Sequence, residues 1–332
     1  MDTKLFKAFT PFINHATEAV TLDVLNDALA EYDTRDPEGT EWRHMGFAEV
    51  SPNEFAIDVQ GAATLCCVQL NERILPGAVQ REKILERVAS IAEREGRKVG
   101  KKEWAQVRDE VAQELLPKAF IRRKLIPIMF VGDNVLIFTT SAKVCDDVTA
   151  LLMRAMCGDY SLLRLYTVDG LIKNDAGGAL QDLAKHDHVY LDNDSTLQTG
   201  DAIVLRGPNK QTIVIKDKDV ASHDVAELLK QDYSVTKLAI NYIAPGETDP
   251  AATFILNDKM VFSRFTVAGV THAKEKTAAD VYDAFLSTAW LTSQTARTVL
   301  DAIVDLMGGL TPVEPVKAAP GASTAVAGDD EL

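Results

Sequence analysis

The sequence predicts an α+β protein of two or three structural units. The chain has 332 residues, more than the roughly 100–200 that a single domain usually contains. Its hydrophobic content of 46% supplies enough apolar side chains for real cores. Short apolar runs of strand composition alternate with longer runs in which apolar residues recur every three or four positions, the spacing of a helix.

The first third of the chain contains strands, one helix and a charged helical pair. We expect a helix from Leu22 to Tyr32 capped by Thr21, and strands between Phe55 and Leu70. Pro76-Gly77 then ends this pattern. Residues 78–115 predict two helices, because they carry two apolar stripes at helical spacing. The stripes are Ile84, Leu85, Val88 and Ile91, followed by Trp104, Val107, Val111 and Leu115.

The rest of the chain alternates strands and helices less regularly. Residues 126–140 predict a hairpin with its turn at Gly132-Asp133-Asn134, and Cys145 to Met156 predicts a helix. Further strands are expected near Val189–Leu191, Ala202–Leu205, Thr212–Ile215, Leu238–Tyr242, Thr253–Leu256 and Met260–Phe265, and helices over Ser222–Lys230 and Ala278–Met307. We divide the chain into an N-terminal α+β part (1–76), a basic helical tip (77–124), a central and basal α+β region (125–310) and a disordered acidic tail (311–332).

Charge is distributed unevenly along the chain. The formal net charge is -14, yet residues 81–124 contain thirteen Lys and Arg against eight Asp and Glu. Salt screens charges beyond a Debye length of about 10 Å, so a local positive surface can attract a polyanion that the whole protein would repel. The sequence therefore predicts a positive surface set into a negative body.

Two basic clusters frame the predicted helical pair. The first has a spacing that would bring most of its members to one side of a helix, although Gly96 and Gly100 weaken that helix. The second has no acidic residue between its members. A solvated helix with intrahelical ion pairs is the alternative, but two flanking clusters favour a phosphate-facing surface. The clusters are Arg94, Arg97, Lys98, Lys101 and Lys102, and Lys118, Arg122, Arg123 and Lys124.

Several classes of protein lack support in the sequence. No phosphate-binding glycine loop, dinucleotide fingerprint or nucleophile elbow is present, so no cofactor and no catalytic centre are expected. No apolar stretch is long enough to span a membrane, and the N-terminus lacks the layout of a signal peptide, so we expect a cytoplasmic protein. The four cysteines, Cys66, Cys67, Cys145 and Cys157, are predicted to be buried thiols.

One segment could hold a metal ion. His186 and His188 would share one face of a strand, and Asp187, Asp192 and Asp194 lie close by in sequence. Turn chemistry explains these residues more simply, because the segment lies at a polar turn. No known DNA-reading module is visible, so any DNA contact should go to phosphates and be indifferent to sequence.

Several motifs resemble those of one known family. Arg73-Ile74-Leu75-Pro76, Leu115-Leu116-Pro117-Lys118-Ala119-Phe120 and Val235-Thr236-Lys237-Leu238-Ala239-Ile240 occur at separations that resemble the recombination-associated protein RdgC. The order of Leu191-Asp192, residues 215–219 and residues 254–258 is also similar. The resemblance spans most of the chain and is weakest over the N-terminal 70 residues.

The resemblance implies a horseshoe-shaped α+β subunit with a helical tip. Two copies would form a closed ring, a homodimer with duplex DNA in its positively lined hole. Members of the family bind double-stranded DNA without marked sequence preference, restrain RecA-driven strand exchange and have no established catalytic centre. The resemblance thus implies a nucleoid-associated, non-enzymatic protein with DNA and a second copy as partners, antagonism of RecA and no membrane.

The resemblance also assigns roles to particular residues. Phe120 would insert into the other subunit at the tip contact, unless it is a local core residue. Lys237 and Arg264 match basic positions of later strands, and either could instead pair with an acidic neighbour. Charge clusters and resemblance together give a predicted DNA-binding set of Arg73, Arg94, Arg97, Lys98, Lys101, Lys102, Lys118, Arg122, Arg123, Lys124, Lys216, Lys218, Lys237 and Arg264.

Two other functions remain open at this point. One is a metal-dependent nuclease that uses His186, His188, Asp192 and Asp194. The other is a recombinase regulator that acts by direct protein contact. The acidic residues at 329–331 could serve as a docking segment, although such runs more often keep a protein soluble.

Overall fold

The computed structural model describes residues 3–16, 20–156, 163–216, 220, 223–270 and 277–313. Its first part contains, in chain order, β1 (Thr10–Asn14), α1 (Leu22–Ala30), β2 (Arg43–Ala48), β3 (Ala56–Val59), β4 (Ala63–Ile74), α2 (Gly77–Glu95), α3 (Lys101–Leu115), β5 (Phe120–Val131), β6 (Asn134–Ile137), α4 (Ala142–Ala155) and β7 (Leu165–Thr167). Its second part contains α5 (Ala176–His186), β8 (His188–Tyr190), β9 (Thr196–Arg206), β10 (Thr212–Lys216), α6 (His223–Lys230), β11 (Ser234–Ile243), β12 (Ala252–Asn257), β13 (Phe262–Val267) and α7 (Ala278–Leu306). Lys218 and residues 314–332, most of the predicted tail, lie outside the described residues.

The α+β prediction is confirmed, since antiparallel sheets and helices make up the described chain. Thr21 caps α1 as expected, accepting a hydrogen bond from the backbone N–H of Val24. The hairpin of β5 and β6 turns at Gly132-Asp133. Strand β2 is missing from the prediction, because its Arg-His-Met-Gly sequence lacks the alternation of a half-buried strand.

A seven-stranded sheet forms the first layer of the fold. Its strand order is β2-β4-β5-β6-β1-β7, with β3 also paired to β4. One face packs on α1 and α4 around Phe47, Ile126 and Leu152. The other face contributes Leu65 and Met129 to the largest core, which it shares with α7. Both faces are therefore buried, as expected for the central layer of a three-layer arrangement.

A six-stranded sheet lies on the other side of that largest core. Its order is β10-β9-β11-β12-β13, and β8 pairs with β9. Buried residues such as Leu205, Leu238 and Leu256 face the core with α5 and α7, while the opposite face carries exposed residues. Alternating buried and exposed residues along each strand are typical of an antiparallel sheet with one solvent-exposed face.

Phe9 joins the two sheets. Immediately before β1, it exchanges two backbone hydrogen bonds with Phe262 of β13, at 3.0 and 2.9 Å. The Phe9 and Phe262 rings stack with centroids 4.6 Å apart, and Phe265 meets Phe9 edge-on at 5.1 Å. Phe9 is fully buried, so this aromatic cluster connects the layers through both backbone and side chains.

The helical tip is a hairpin of α2 and α3 with a small core of its own. Ile84, Val107 and Val111 are buried between the two helices. Leu85 was predicted in the same buried stripe, but its side chain is 52% exposed. It lies one position beyond Ile84, and a turn of 100° per residue carries it off the inner face.

The first basic cluster does not lie on one helix face, contrary to the prediction. Gly96 adopts φ +64° and ends α2, and α3 begins only at Lys101. A left-handed residue at this position is the usual glycine stop of a helix. Arg97 and Lys98 therefore lie in the connecting loop, at the far end of the hairpin.

The longest strand pair carries the tip. β4 and β5 pair continuously from Thr64↔Phe130 to Ile74↔Phe120. The paired strands end directly at the start of α2 and the end of the 3-10 turn Leu116–Lys118 that follows α3. β5 thus runs across the predicted boundary at residue 124. Lys118 ends the 3-10 turn, whereas Arg122, Arg123 and Lys124 lie on the strand.

Three cysteines are buried free thiols, as predicted: Cys66, Cys67 and Cys145. Burial raises the pKa of the Cys67 thiol to about 12, so this group is an inert thiol at neutral pH. Cys157 lies outside the described residues. None of the described helices is long and apolar enough to cross a bilayer.

Candidate nucleic-acid interface

A groove on the wet face of the second sheet brings three predicted cations together. Lys216 of β10, Lys237 of β11 and Arg264 of β13 line it, and its volume is about 200 Å³. All three side chains are exposed, and none makes an ion pair with another residue in the described ranges. Neither Lys237 nor Arg264 therefore pairs with an acidic neighbour among the described residues, which was the alternative to a phosphate contact.

A β-bulge turns Lys237 into the groove. Val235 pairs with Leu205 and Lys237 with Val204, so Thr236 is an extra residue in β11. Its hydroxyl donates to the Val204 carbonyl oxygen at 3.1 Å. Without this insertion, strand alternation would place Lys237 opposite the buried Ile203. The bulge re-aims the lysine toward solvent.

A second bulge does the same for Arg264. Thr253 pairs with Thr266 and Ile255 with Ser263, so Phe254 faces both Arg264 and Phe265. Arg264 takes φ +52°, a left-handed conformation that is uncommon for residues other than glycine. Ser263 and Arg264 consequently both line the groove. Backbone strain of this kind concentrates at functional sites.

The floor of the groove is apolar. Ala202 and Val204 of β9, Val214 of β10 and Ile255 of β12 form it, and Val214 is directly opposite Val204 in the ladder. Cations around an apolar floor suit an anion that also presents apolar surface, such as a sugar-phosphate backbone.

The tip is a second cationic region, with five lysines divided between the two ends of the helical hairpin. Lys98 lies in the loop between the helices, Lys101 and Lys102 open α3, Lys118 precedes β5 and Lys124 lies on it; all are exposed. No ion pair joins any of these five to another residue that the structure describes. They are consequently open to an external anion.

The positions of Lys101 and Lys102 work against helix stability. They occupy the first turn of α3, where the positive end of the helix dipole disfavours cations by about 0.3–1 kcal/mol each. Glu103 offsets this, because its carboxylate lies in the same first turn and accepts a hydrogen bond from the backbone N–H of Gly100 at 3.4 Å. Two lysines at an unfavourable position indicate a role other than stability.

The predicted arginines at the tip, in contrast, are largely occupied. Arg97 donates to both carboxylate oxygens of Glu103, at 2.9 and 3.0 Å, and meets Glu95 at 2.6 Å. The hydrogen bond from Arg97 lowers the pKa of Glu103 below its ordinary value, while Glu103 raises that of Arg97. Arg94 lies 3.6 Å from Glu95. Arg97 therefore closes the end of the hairpin.

The arginines of β5 are also paired. Arg122 meets Glu72 of β4 at 2.7 Å, directly across the ladder. Arg123 donates to both carboxylate oxygens of Asp36, at 2.9 and 2.8 Å. The planar guanidinium fork suits carboxylates, which explains why the arginines rather than the lysines are engaged.

Arg73 has a structural role. Its guanidinium donates to the backbone carbonyl oxygens of Leu116 and Pro37, and its side chain is half-buried. It ties the end of the tip hairpin to the loop before β2. We therefore leave Arg73 out of the candidate interface.

Phe120 is not a local core residue. Its side chain is 83% exposed at the first position of β5, opposite Ile74, which is also exposed. A phenylalanine this exposed is costly to leave in water. The alternative of a local core position is thus excluded, and the tip exposes an apolar pair, Phe120 and Ile74.

The turns that the sequence favoured at residues 186–194 are present, and the alternative metal cluster is not assembled among the described residues. His186 ends α5, Asp187 takes φ +66° and His188 begins β8, so the two histidines do not share a strand face. Asp187 instead accepts a hydrogen bond from the Thr199 hydroxyl. Within the described ranges, no group of three or more His, Cys, Asp or Glu side chains is placed to hold a metal ion.

The acidic partners of Arg123 and Arg122 were not predicted from the sequence. Asp36 and Glu72 lie 87 and 50 positions from the arginines that they engage, and the pattern around each shows no trace of the pairing. Local charge density indicated the lysines of the tip, and these are exposed; their role in DNA binding stays a prediction. The sheet register sets the pairing of Glu72 with Arg122, and the path of the loop sets that of Asp36 with Arg123.

The fold and these surfaces define an α+β protein with two separate cationic regions and an exposed aromatic at its tip. A family model described as "Putative exonuclease, RdgC" matches residues 5–310. The chain belongs to the RdgC family. The matched range includes most of the N-terminal 70 residues, where we expected the weakest resemblance.

Curated relatives carry the name "Recombination-associated protein RdgC". The proteins from Shewanella denitrificans (strain OS217) and Shewanella baltica (strain OS223) are each 32% identical to this chain over 155 residues. These alignments cover 46% of the chain and 51% of the relative. The chain thus matches about half the length of these relatives.

Proposed function

We propose that this protein binds double-stranded DNA without sequence preference, through lysine-rich surfaces, and restrains RecA-driven recombination. Two subunits would close a ring around the duplex, with Phe120 at the tip contact. The protein would act without a catalytic centre. Membership of the RdgC family and the name of the relatives support a role in recombination.

The groove of Lys216, Lys237 and Arg264 carries the proposal. Three cations from three strands converge on one face, two of them through bulges. Phosphate contacts by Lys and Arg dominate nonspecific DNA affinity. Cations on an open sheet face keep a protein soluble, and their convergence on one groove is what a phosphate-binding sheet would add.

The tip supports the ring. The exposed pair of Phe120 and Ile74 lies at the base of the α2–α3 hairpin, and a second copy would bury both side chains in an isologous contact. The open lysines lie on the same hairpin and strand. A duplex held near this contact would meet cations from both subunits, despite the net charge of -14.

Neutralising the groove should weaken binding in a salt-dependent way. The double change Lys216→Gln and Lys237→Gln should make the slope of log affinity against log salt shallower by about 1.8, since each lost phosphate contact contributes about 0.9. Fluorescence anisotropy with a duplex of mixed sequence, measured over a salt series, reports this slope.

The matched control changes two lysines elsewhere. Lys143→Gln with Lys173→Gln removes the same charge from exposed positions on α4 and before α5. It should leave the slope unchanged. An equal effect of both double variants would show that net charge, and not the groove, governs affinity.

The tip lysines are tested in the same assay. Lys101→Gln with Lys102→Gln should also reduce the slope by about 1.8. It should not lower the melting temperature, because it removes two cations from the positive end of α3. A lower melting temperature with an unchanged slope would assign these lysines to stability instead.

The two other functions give different outcomes. A nuclease would cleave duplex DNA with Mg²⁺ or Mn²⁺ and lose this activity on changing His188 to Ala. A regulator acting by protein contact would still inhibit strand exchange when the groove and tip lysines are neutralised. Our proposal expects intact DNA and loss of inhibition together with loss of DNA binding.

A further inference from the structure

Strand β5 and the turn before it present four cations, and the middle two are already in contact with carboxylates. Lys118 and Lys124 are exposed and, within the described chain, make no ion pair. Arg122 and Arg123 lie between them and contact Glu72 and Asp36. Neighbouring residues of a strand point to opposite faces, so each face of the sheet holds one paired arginine.

Asp36 is held over Arg123 by the protein backbone. Its loop follows α1, and Asn71 donates to the carbonyl oxygen of Arg35 at 2.8 Å, while Arg73 donates to that of Pro37. The backbone N–H of Thr34 donates to Phe47 at 2.8 Å. Contacts that do not involve the charge of Asp36 therefore fix its loop. The carboxylate consequently loses little further conformational entropy when it pairs with Arg123.

Two further features fix this loop. A Cβ at Gly46 would lie 2.6 Å from the carbonyl oxygen of Asp33, so only glycine lets the loop pass over β2. Arg35 donates to both carboxylate oxygens of Glu41, at 2.8 and 3.0 Å, and lowers the pKa of Glu41 to about 2. The loop therefore keeps its internal ion pair at neutral pH.

Glu72 is held in a row of alternating charge. It is directly opposite Arg122 on one side and Arg43 on the other. Asp147 of α4 contacts Arg43 at 2.8 Å, which leaves the Glu72 carboxylate to Arg122. The strand register, and not the side-chain rotamer alone, therefore sets the position of the Glu72 carboxylate.

These contacts are exposed and exchangeable. The side chains of Arg123 and Asp36 are 57% and 48% exposed, and exposed pairs stabilise a fold by only about 0–1 kcal/mol. They contribute little to folding, but each carboxylate occupies the guanidinium that a phosphate would bind.

We propose that Asp36 and Glu72 are built-in phosphate mimics that withhold Arg123 and Arg122 from DNA, each on its own face of β5, and so limit the phosphate contacts that this strand can make. The proposal rests on the proposed DNA-binding function. Fewer phosphate contacts keep a DNA-bound protein in rapid exchange, since tighter phosphate binding would slow its release. Lys118 in the preceding turn and Lys124 on β5 then provide the open contacts.

Asp36→Asn tests the proposal, with Glu72→Gln as a second variant. Each freed arginine should raise affinity for a mixed-sequence duplex roughly five- to tenfold at about 0.1 M salt and steepen the salt slope by about 0.9. The matched control is Glu38→Gln on the same loop, which removes one charge from a side chain whose ion-pair partner among the described residues is Arg35. It should leave the slope unchanged.

A double-mutant cycle identifies the arginine. Arg123→Gln alone should change binding little, whereas Arg123→Gln in the Asp36→Asn background should remove the whole gain. A gain that survives this second change, no gain in Asp36→Asn, or an equal gain in Glu38→Gln would overturn the proposal. If no variant binds DNA even at low salt, the DNA-binding function itself fails, and the shielding proposal with it.

Discussion

Phe120→Ser should separate the ring at its tip. Burying one phenylalanine side chain contributes about 1.5–3 kcal/mol, and an isologous contact contains two copies. Losing both should weaken dimerisation about 100-fold or more. Because Phe120 is 83% exposed in the single subunit, the variant should fold normally. Sedimentation equilibrium measures the change in association.

Phe120→Ser should also abolish the retention of closed circular duplex DNA. An intact ring cannot slide off a circular duplex, so the wild-type complex should outlast a linear one, and Phe120→Ser should remove this difference. Tyr190→Ser changes a comparably exposed aromatic on β8. It should alter neither dimerisation nor the retention of circular DNA. A Phe120→Ser protein that still dimerises and keeps circular DNA would exclude Phe120 from the contact.

Phe9→Ala should have the largest effect on stability. Phe9 is fully buried and contacts Phe138, Phe262 and Phe265 where the two sheets meet. Removing a buried phenylalanine side chain costs about 3–5 kcal/mol through lost transfer energy and the cavity that remains. Urea unfolding followed by circular dichroism measures this loss.

Two variants make the stability result interpretable. Phe9→Leu retains most of the volume and should cost less than Phe9→Ala. Tyr190→Ala removes an exposed ring and should change the free energy of unfolding by no more than about 0.5 kcal/mol. A loss below about 1 kcal/mol for Phe9→Ala would show that the aromatic cluster does not hold the sheets together.

The secondary structure was largely predictable because its signals are local. The apolar spacing of residues 78–115 predicted both tip helices, and Gly132-Asp133 predicted the β5–β6 turn. The turn favoured at residues 186–194 was also predictable, since Asp187 takes φ +66° between His186 and His188. The prediction was wrong for the first basic cluster, where Gly96 at φ +64° ends α2 and places Arg97 and Lys98 in a loop.

The candidate site was predictable only in part. Charge density indicated the tip lysines, which are exposed, but it did not separate them from the arginines, and Lys216, Lys237 and Arg264 rested on the family resemblance. Asp36 reaches Arg123 only because a loop crosses the sheet at Gly46. The extra residue Thr236, which turns Lys237 outward, is likewise a property of the paired strands and not of β11 alone.

The most direct test compares linear and closed circular duplex DNA over one salt series, with the oligomeric state recorded at each point. We predict salt-sensitive binding by a dimer and circular complexes that persist at salt concentrations where linear ones have dissociated. Salt-insensitive binding, or no binding at low salt, would contradict the lysine-rich interface. Equal loss of linear and circular complexes would contradict the ring.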